Sequence, residues 1–234
     1  MECFDWHLHY SGLTAAQWRQ WRSAGLAGAV GCTARHAEWK MPPESGKFDG
    51  LRFAWGIHPW FAAEWNGAAA RELESALAGN PDLQVGEIGL DYSRESPAAA
   101  FAPALQCAVF AAQMALAAEF GRCAIVHVRK AWPDFLAVAR QCRSCAVVLH
   151  GFSGSAEVAR QLMECLPLCR FSFGAALCNR NAARLRRTAA DIPPERFLTD
   201  SDWPNRPAFT PPDCRRIGEC YRCLRNAAAL PTES

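Results

Sequence analysis

Short apolar runs rich in β-branched and aromatic residues recur along the chain, and helical segments separate them. Eight such runs cover residues 2–9, 26–32, 51–58, 83–92, 123–128, 145–152, 168–174 and 196–202. Alanine-rich stretches such as residues 68–79 and 156–166 lie between them, with apolar positions near helical spacing. Strands that alternate with helices in this way predict a parallel sheet covered by helices.

The number of strand–helix units narrows the choice of fold. Eight units within 234 residues predict an α/β protein of the (β/α)8 TIM-barrel type, which typically takes about 250 residues. A doubly wound open sheet is the alternative, although no Gly-x-Gly-x-x-Gly motif follows the first run to indicate a dinucleotide site. Residues 41–50 are typical of a loop rather than a linker, so we expect residues 1–234 to form a single domain.

Composition and charge exclude several classes of protein. Half of the residues are hydrophobic and 21% are charged, which excludes a disordered chain. A net charge of +2 excludes a broad basic face for nucleic acid. The first ten residues lack the basic and apolar regions of a signal peptide, and no apolar run reaches the roughly 18 residues that span a bilayer. We therefore expect a cytoplasmic monomer without membrane contact.

Twelve cysteines include two pairs with the spacing of metal ligands, Cys142 with Cys145 and Cys220 with Cys223. The two pairs lie much further apart than in a zinc ribbon, and Cys145 begins an apolar run. Without an export signal, reduced thiols are expected. We interpret the cysteines as small apolar side chains and incidental thiols.

Histidines and carboxylates gather at the predicted strand ends, where the active sites of such barrels lie. Only His36, in the loop after the second run, stands apart from this pattern. The residues at strand ends are His7, His9, His58, Glu87, His127, His150 and Asp200.

Imidazole and carboxylate together suit zinc, manganese or magnesium in a hydrolytic site. Because His7 and His9 are two residues apart on a strand, both rings face the barrel interior. Glu87 has two oxygens and is the natural bridge between two ions. The expected remaining ligands are His7, His9 and Asp200 on one ion, and His127 and His150 on the other. Two ions about 3.5–4 Å apart share a water, lower its pKa and stabilise charge during hydrolysis of phosphate esters, other esters or amides.

Three further residues near the strand ends have open roles. Asp202 faces the same way as Asp200 and is a competing ligand. Asp91 is expected to cap or orient the loop after the fourth strand. Arg129 shares the facing direction of His127, which suits bidentate contact with a phosphate, and a surface ion pair is the alternative.

Taken in order, these segments resemble the TatD family of metal-dependent hydrolases, within the amidohydrolase-like barrels. The matching segments are FDWHLH, GIHPW, VGEIGLDY, IVHVRKA, VLHGFSGS and LTDSDWP, together with the helix QCAVFAAQMALA that holds Gln106, Phe110 and Gln113 in the family order. The resemblance runs from residue 4 to about residue 204, and GEIGLDY and HGFSGS are its most specific parts.

The resemblance implies a deoxyribonuclease that depends on magnesium or manganese, often with 3′-to-5′ exonuclease action, and in some members zinc. It places two ions on the ligand set given above, with Glu87 and Asp200 as catalytic groups. It also implies that His58 and Arg129 contact the scissile phosphate, and that Trp60 stacks on a base, with packing in the loop as the alternative for Trp60. The expected substrate is DNA or a small phosphodiester.

The chain departs from the family pattern at several places. Leu198 stands where the family has Glu, Asp202 where it often has Pro, and Trp6 where a small residue is usual. The tail after Pro204 lacks the family's Asn-Glu-Pro segment and its final Asn-x-x-x-Phe motif. The ligand set does not exclude a hydrolase of carboxylic esters, lactones or amides, and Leu198 with the shortened tail leaves a non-catalytic metal-binding scaffold as a further alternative.

Overall fold

Eight parallel strands form one sheet in which each strand pairs with its neighbour along the chain. The computed structural model describes residues 3–40, 45–93 and 102–228, so part of the predicted 41–50 loop lies outside the described residues. The strands are β1 (Cys3–His9), β2 (Leu26–Cys32), β3 (Leu51–Trp55), β4 (Gln84–Asp91), β5 (Ala124–Arg129), β6 (Val147–Leu149), β7 (Cys169–Phe173) and β8 (Phe197–Thr199).

Seven α-helices cover the sheet in the part of the chain that the structure describes. They are α1 (Ala15–Ser23), α2 (Gly67–Gly79), α3 (Pro103–Glu119), α4 (Trp132–Ala139), α5 (Ala156–Cys165), α6 (Ala183–Asp191) and α7 (Cys214–Ala228). The described residues between β2 and β3 contain only two short 3-10 turns, His36–Glu38 and Ser45–Lys47. The predicted repetition of strand and helix is thus confirmed for the strands and interrupted at one connection.

The barrel closes through a short seam between β1 and the residues that follow β8. Leu8 and Trp203 form an isolated parallel bridge. The amide of His9 donates to the carbonyl of Trp203 at 2.7 Å, and the amide of Asp202 donates to the carbonyl of His7 at 3.1 Å. The other neighbouring strands pair directly as parallel ladders, with register shifts between β1 and β2 and between β4 and β5.

Two apolar layers hold the barrel. The larger layer lies between strands and helices and includes the fully buried Trp18, Leu73, Phe110 and Phe135. The smaller one, called here the inner cluster, comprises Val30, Cys32, Ala54, Ile125 and Val148, all from strands. Phe4, Trp6, Cys123 and Leu198 are partly buried and pack against the inner cluster. The departures at Trp6 and Leu198 therefore affect the interior of the barrel.

An irregularity in β1 explains how Trp6 and His7 both reach the interior. The register between β1 and β2 shifts between Asp5 and Leu8. A shift of this kind inserts an extra residue into a strand and re-aims its side chains. As a result, Trp6 packs on the inner cluster while the next residue, His7, turns toward the carboxyl end of the barrel.

The buried face of helix α3 contains two glutamines whose side chains bond to the backbone of neighbouring segments. The side chain of Gln113 accepts from the Ile57 amide at 2.8 Å and donates to the Ile57 carbonyl at 3.2 Å. Gln106 makes the same pair of bonds with the backbone of Asp91, at 2.9 and 3.2 Å. Buried amide side chains are satisfied in this way, and they fix the backbone on both sides of the predicted site.

Three strands, β3, β6 and β8, end three residues before their predicted ends. The third run was expected to reach residue 58, but β3 ends at Trp55 because Gly56 bonds to the Thr33 hydroxyl instead of to a neighbouring strand. The sixth run shrinks to Val147–Leu149. Among the described residues, no helix combines the length and the apolar character needed to cross a bilayer.

Gly89 in β4 is the glycine that the fold requires most. Its φ is +142°, and a Cβ built on it would lie 1.9 Å from the carbonyl oxygen of His127. Backbone strain and overpacking each cost roughly 1–3 kcal/mol, so we expect Gly89→Ala to lower the free energy of unfolding by about 2–6 kcal/mol. Urea denaturation of the purified protein measures this change.

Gly79, at the end of α2, is the matched control. A Cβ there would meet nothing within 4 Å, so Gly79→Ala should leave stability unchanged or raise it by about 0.5–1 kcal/mol. Equal stability of the two variants would contradict the packing at Gly89.

Candidate metal centre

The carboxylate of Glu87 lies at the centre of a group of histidines at the carboxyl end of the barrel. Glu87 is only 2% exposed. Its Oε2 is 3.5 Å from His7 Nε2 and 3.3 Å from His9 Nε2. Its Oε1 is 2.7 Å from His150 Nε2, 3.1 Å from His127 Nδ1 and 3.6 Å from His58 Nε2. Five predicted site residues are thus brought around a sixth.

The two oxygens of Glu87 face different partners. Oε2 faces the two histidines of β1. Oε1 faces His127 of β5, His150 just after β6 and His58 in the segment after β3. Two sets of side chains have ligand atoms close enough for one ion: His7, His9 and Glu87, and His58, Glu87 and His127. A carboxylate between two such sets has the arrangement of a bridging ligand.

Several buried polar atoms of this group have no hydrogen-bond partner within the described residues. They are Nδ1 and Nε2 of His7, Nδ1 of His150 and Oδ1 of Asp200. Buried polar atoms are normally satisfied by protein, water or metal. Imidazole nitrogens and carboxylate oxygens are also suitable donors for divalent transition metals. The residues therefore fit the two-ion expectation in their chemistry.

Burial and charge set the protonation of the cluster. Burial raises the pKa of Glu87, but the histidines around it, His150 first, outweigh burial and hold this pKa well below its usual value. Burial lowers the pKa of His150, yet the Glu87 charge and hydrogen bond raise it to about 9. Burial also holds the pKa of His7 well below its usual value. An ionised carboxylate and a neutral imidazole are the forms that bind metal.

Asp91 connects three parts of the site, and its role was only partly predicted. Its Oδ1 accepts from the Ser93 amide at 2.8 Å, which is the predicted capping of the loop. Its Oδ2 lies 3.1 Å from His127 Nε2 and accepts from the indole Nε1 of Trp60 at 2.9 Å. A carboxylate on one ring nitrogen orients a histidine and leaves the other nitrogen for a metal.

Only one of the two carboxylate oxygens of Asp200 accepts hydrogen bonds from the described residues. Its Oδ2 accepts from the Ser172 hydroxyl at 2.5 Å and from the Gly151 amide at 2.8 Å. Its Oδ1 is the orphan oxygen described above. The competing carboxylate, Asp202, lies 3.7 Å from His7 Nε2 through its Oδ1. Asp200 and Asp202 are therefore both near the cluster, and neither belongs to the two close-set groups around Glu87 within the described chain.

Asp5 supports β1 from outside the cluster. Its carboxylate accepts from the Ser201 hydroxyl at 2.6 Å, from the Ser201 amide at 2.9 Å and from the His7 amide at 3.2 Å. Burial raises the pKa of Asp5 to about 8, although the bonds from Ser201 oppose this rise. Asp5 thus ties the strand that contains His7 to the segment after β8.

A cavity of about 680 Å³ opens above the cluster, and the predicted substrate residues line it. His58, Trp60 and Arg129 are lining residues, with Arg35 and Arg206. The volume falls in the range of roughly 300–1,000 Å³ that is usual for ligand sites. Trp60 is half-buried, and its indole N–H is used by Asp91, so only its ring faces are open to stacking.

His36 and the two cysteine pairs, which the sequence does not assign to the metal site, also lie outside the Glu87 cluster in the structure. His36 is 2.8 Å from Glu72 on an exposed part of the molecule. All twelve cysteines are free, and the Cys142 and Cys220 pairs do not join a group of metal-ligand type among the described residues. Cys220 Sγ lies 3.4 Å from Cys178 Sγ.

Two supporting contacts of the site were not predicted from the sequence, that of Asp91 with His127 and that of Ser172 with Asp200. Asp91 shares the strand face of Glu87, four residues away, and this spacing is the signal that could have linked it to His127. Ser172 lies in an aromatic strand next to β8, and nothing in its sequence context marks it as a partner of Asp200.

The geometry predicts that Asp91 controls metal affinity without contacting the metal. Asp91→Asn replaces an acceptor by an amide that cannot accept from Ser93, Trp60 and His127 together. Loss of such a partner commonly lowers metal affinity by roughly 10–100-fold, and calorimetric titration with Mn²⁺ measures it. Trp60→Phe removes only one donor to Asp91 and should bind Mn²⁺ nearly as the unaltered protein does. Equal affinity of Asp91→Asn and Trp60→Phe would contradict the assignment.

Known proteins share this architecture and sequence. The TatD homologue YjjV of Escherichia coli K12 superposes with a TM-score of 0.83 at 23% identity, over 96% of this chain and 91% of that one. A hydrolase TatD family protein from Entamoeba histolytica superposes with a TM-score of 0.70 at 18% identity, over 85% and 73% of the two chains. At these identities, the likeness shows the barrel fold.

Sequence relatives give closer matches. The 3′-5′ ssDNA/RNA exonuclease TatD of Edwardsiella piscicida is 35% identical over 179 residues, covering 72% of this chain and 66% of the relative. The uncharacterized metal-dependent hydrolase YabD of Bacillus subtilis is 32% identical over 162 residues, covering 68% and 60%. The chain thus spans slightly under two thirds of each of these relatives. The family model for TatD related DNase matches residues 4–226, and the chain belongs to this family.

Proposed function

We propose that this protein hydrolyses phosphodiester bonds at the ends of nucleic acid with divalent metal ions held at Glu87. The observation that supports it most is the placement of Glu87, whose two oxygens face two sets of histidines inside a cavity of the barrel. The proposed ligands are His7, His9, Glu87 and Asp200 for one ion, and Glu87, His127 and His150 for the other.

Magnesium, manganese or zinc at these positions would lower the pKa of water and stabilise the negative charge that develops on the phosphate oxygens. The protein's own part is to hold the donor atoms. His127 turns Nδ1 toward Glu87 because Asp91 engages Nε2. Asp200 offers Oδ1 because Ser172 and Gly151 engage Oδ2.

His58 is proposed as a donor to substrate. The Trp60 amide donates to His58 Nδ1 at 3.2 Å, so the proton of a neutral ring lies on Nε2. Burial lowers the pKa of His58 to about 3, which keeps the ring neutral. An Nε2–H directed into the cavity suits a phosphate oxygen better than a cation, although this nitrogen lies within reach of the ligand group of Glu87 and His127.

The cavity supports a nucleic acid as the substrate. Three arginines line it, Arg35, Arg129 and Arg206, and a guanidinium is well suited to a phosphate. Trp60 offers a ring for one base, and base–aromatic stacking is worth roughly 1–3 kcal/mol. The exonuclease names of the sequence relatives favour single-stranded ends.

We expect the purified protein to degrade single-stranded DNA with Mn²⁺ or Mg²⁺ and to lose this activity in excess EDTA. His127→Ala should reduce the rate to that of the EDTA-treated protein, because it removes a donor beside Glu87. His36→Ala is the matched control, since this histidine pairs with Glu72 on the surface. Rates are measured by gel analysis of end-labelled oligonucleotides.

Activity that persists in EDTA or in His127→Ala would contradict the proposal. Carboxyl ester and lactone substrates tested beside DNA give a second readout, since preference is a ratio of kcat/KM values. A higher kcat/KM for a carboxyl ester than for DNA would instead identify the protein as a carboxyl ester hydrolase.

His58→Asn separates substrate binding from metal binding. A hydrogen bond to a charged group is worth roughly 1.5–3 kcal/mol, so kcat/KM on DNA should fall about 10–100-fold. Mn²⁺ affinity, measured by calorimetry, should stay close to that of the unaltered protein. A variant that no longer binds Mn²⁺ would instead make His58 a ligand.

A further inference from the structure

A second cavity, of about 420 Å³, lies at the opposite mouth of the barrel; we name it the basal cavity. Its lining residues stand at or just before strand starts: Arg52 in β3, Cys123 before β5, Ala146 before β6 and Arg170 in β7. The starts of parallel strands gather at the end of the barrel away from the strand ends that hold the Glu87 cluster. The two cavities share no lining residue.

The inner surface of the basal cavity is apolar and contains an accessible aromatic ring. Trp6 and Val148 line it, and Trp6 is half-buried rather than enclosed. Phe4 lies beside Trp6, with 4.9 Å between the ring centroids. The part of the indole that lines the cavity offers an aromatic contact for a flat ligand.

Two arginines stand at the rim with their guanidinium groups over these rings. Arg170 is 5.9 Å from the centroid of Trp6, and Arg52 is 5.6 Å from that of Phe4. Both arginine residues are exposed. Neither forms an ion pair or a hydrogen bond with another described residue. Their charges also reach the Cys123 thiol, where they oppose the burial that raises its pKa to about 11.

The remaining charged lining residues differ from these two. Arg196 donates to the carbonyl of Cys169 at 2.8 Å and to that of Pro167, so its guanidinium is part of the fold. Glu195 is exposed and is the sole acidic side chain among the lining residues of the described chain. Three arginines against one glutamate leave the basal cavity positively charged.

We propose that the basal cavity binds a small aromatic anion, whose ring stacks on Trp6 and whose carboxylate, sulfonate or phosphate group pairs with Arg52 and Arg170. A guanidinium presents a planar fork that matches such groups. The aromatic side chains below the guanidinium groups stabilise the cations and the ring of the ligand together. The volume lies in the range of roughly 300–1,000 Å³ that holds small organic ligands.

The test uses naphthalene-2-sulfonate, which has no ester bond to cleave. Binding is measured by isothermal titration calorimetry on the full chain in EDTA, so that the Glu87 cluster holds no metal. The unaltered protein should bind the sulfonate, and the neutral naphthalene-2-sulfonamide should bind at least about tenfold more weakly, because charge-assisted hydrogen bonds are the strong ones. Equal binding of the two compounds, or no heat from the sulfonate, overturns the proposal.

Variants locate the site. R52Q combined with R170Q should weaken binding of naphthalene-2-sulfonate at least about tenfold. R187Q is the matched control, because Arg187 is exposed on α6 and does not line the basal cavity. An equal loss of affinity in R52Q/R170Q and in R187Q overturns the proposal. A double variant that binds the sulfonate as tightly as the unaltered protein does also overturns it.

Two further measurements complete the design. Nuclease activity of the R52Q/R170Q variant with Mn²⁺ should equal that of the unaltered protein, since the basal cavity is separate from the Glu87 cluster. Deoxyadenosine monophosphate, titrated under the same conditions, tests whether a nucleotide satisfies the same chemistry. If naphthalene-2-sulfonate and deoxyadenosine monophosphate both bind the R52Q/R170Q variant as tightly as they bind the unaltered protein, the two arginines are excluded and the assignment is overturned.

Discussion

A buried carboxylate among histidines is the interaction on which the rest of this site depends. An ionised Glu87 without partners would be costly to bury, because removing a charge from water takes several kcal/mol even after relaxation. Here five imidazoles lie within 3.6 Å of its oxygens. They come from β1 and from the ends of β3, β5 and β6. Burial of the ionised carboxylate therefore requires the assembled barrel, which brings these histidines together. In turn, the barrel requires hydrogen-bond donors or positive charge around the buried carboxylate.

The strand pattern and the positions of the chemistry followed from the sequence. Apolar runs marked all eight strands, and the polar residues that end them had to meet because parallel strands in a barrel end at one face. What the sequence did not contain was the local geometry. Nothing in FDWHLH indicates the register shift that lets Trp6 and His7 both reach the interior. The double use of Asp91 Oδ2 depends on a tryptophan from the turn after β3 and a histidine from β5.

The structure shows where the residues that depart from the family pattern lie. Trp6 and Leu198 both pack against the inner cluster, below the metal-binding residues. The segment after Pro204 forms α7, where Tyr221 stacks on Phe197 with ring centroids 3.7 Å apart and donates to the Ile192 carbonyl at 2.7 Å. The altered tail thus packs against β8 from outside, while Trp6 and Leu198 lie in the interior of the barrel, where Trp6 also lines the basal cavity.

The seam between β1 and the residues after β8 has a consequence for motion. It rests on one bridge and two backbone hydrogen bonds, with side-chain bonds from Thr199 and Ser201 beside them. It therefore has less backbone pairing than a long ladder such as that between β4 and β5. Regions of this kind exchange their amide hydrogens before the protein unfolds globally. His7 and His9 lie on one side of the seam, and Asp200 and Asp202 lie next to the other. An ion bound by residues on both sides of the seam would hold the barrel closed there. Slower hydrogen exchange of the His9 amide would then indicate that the ion is bound.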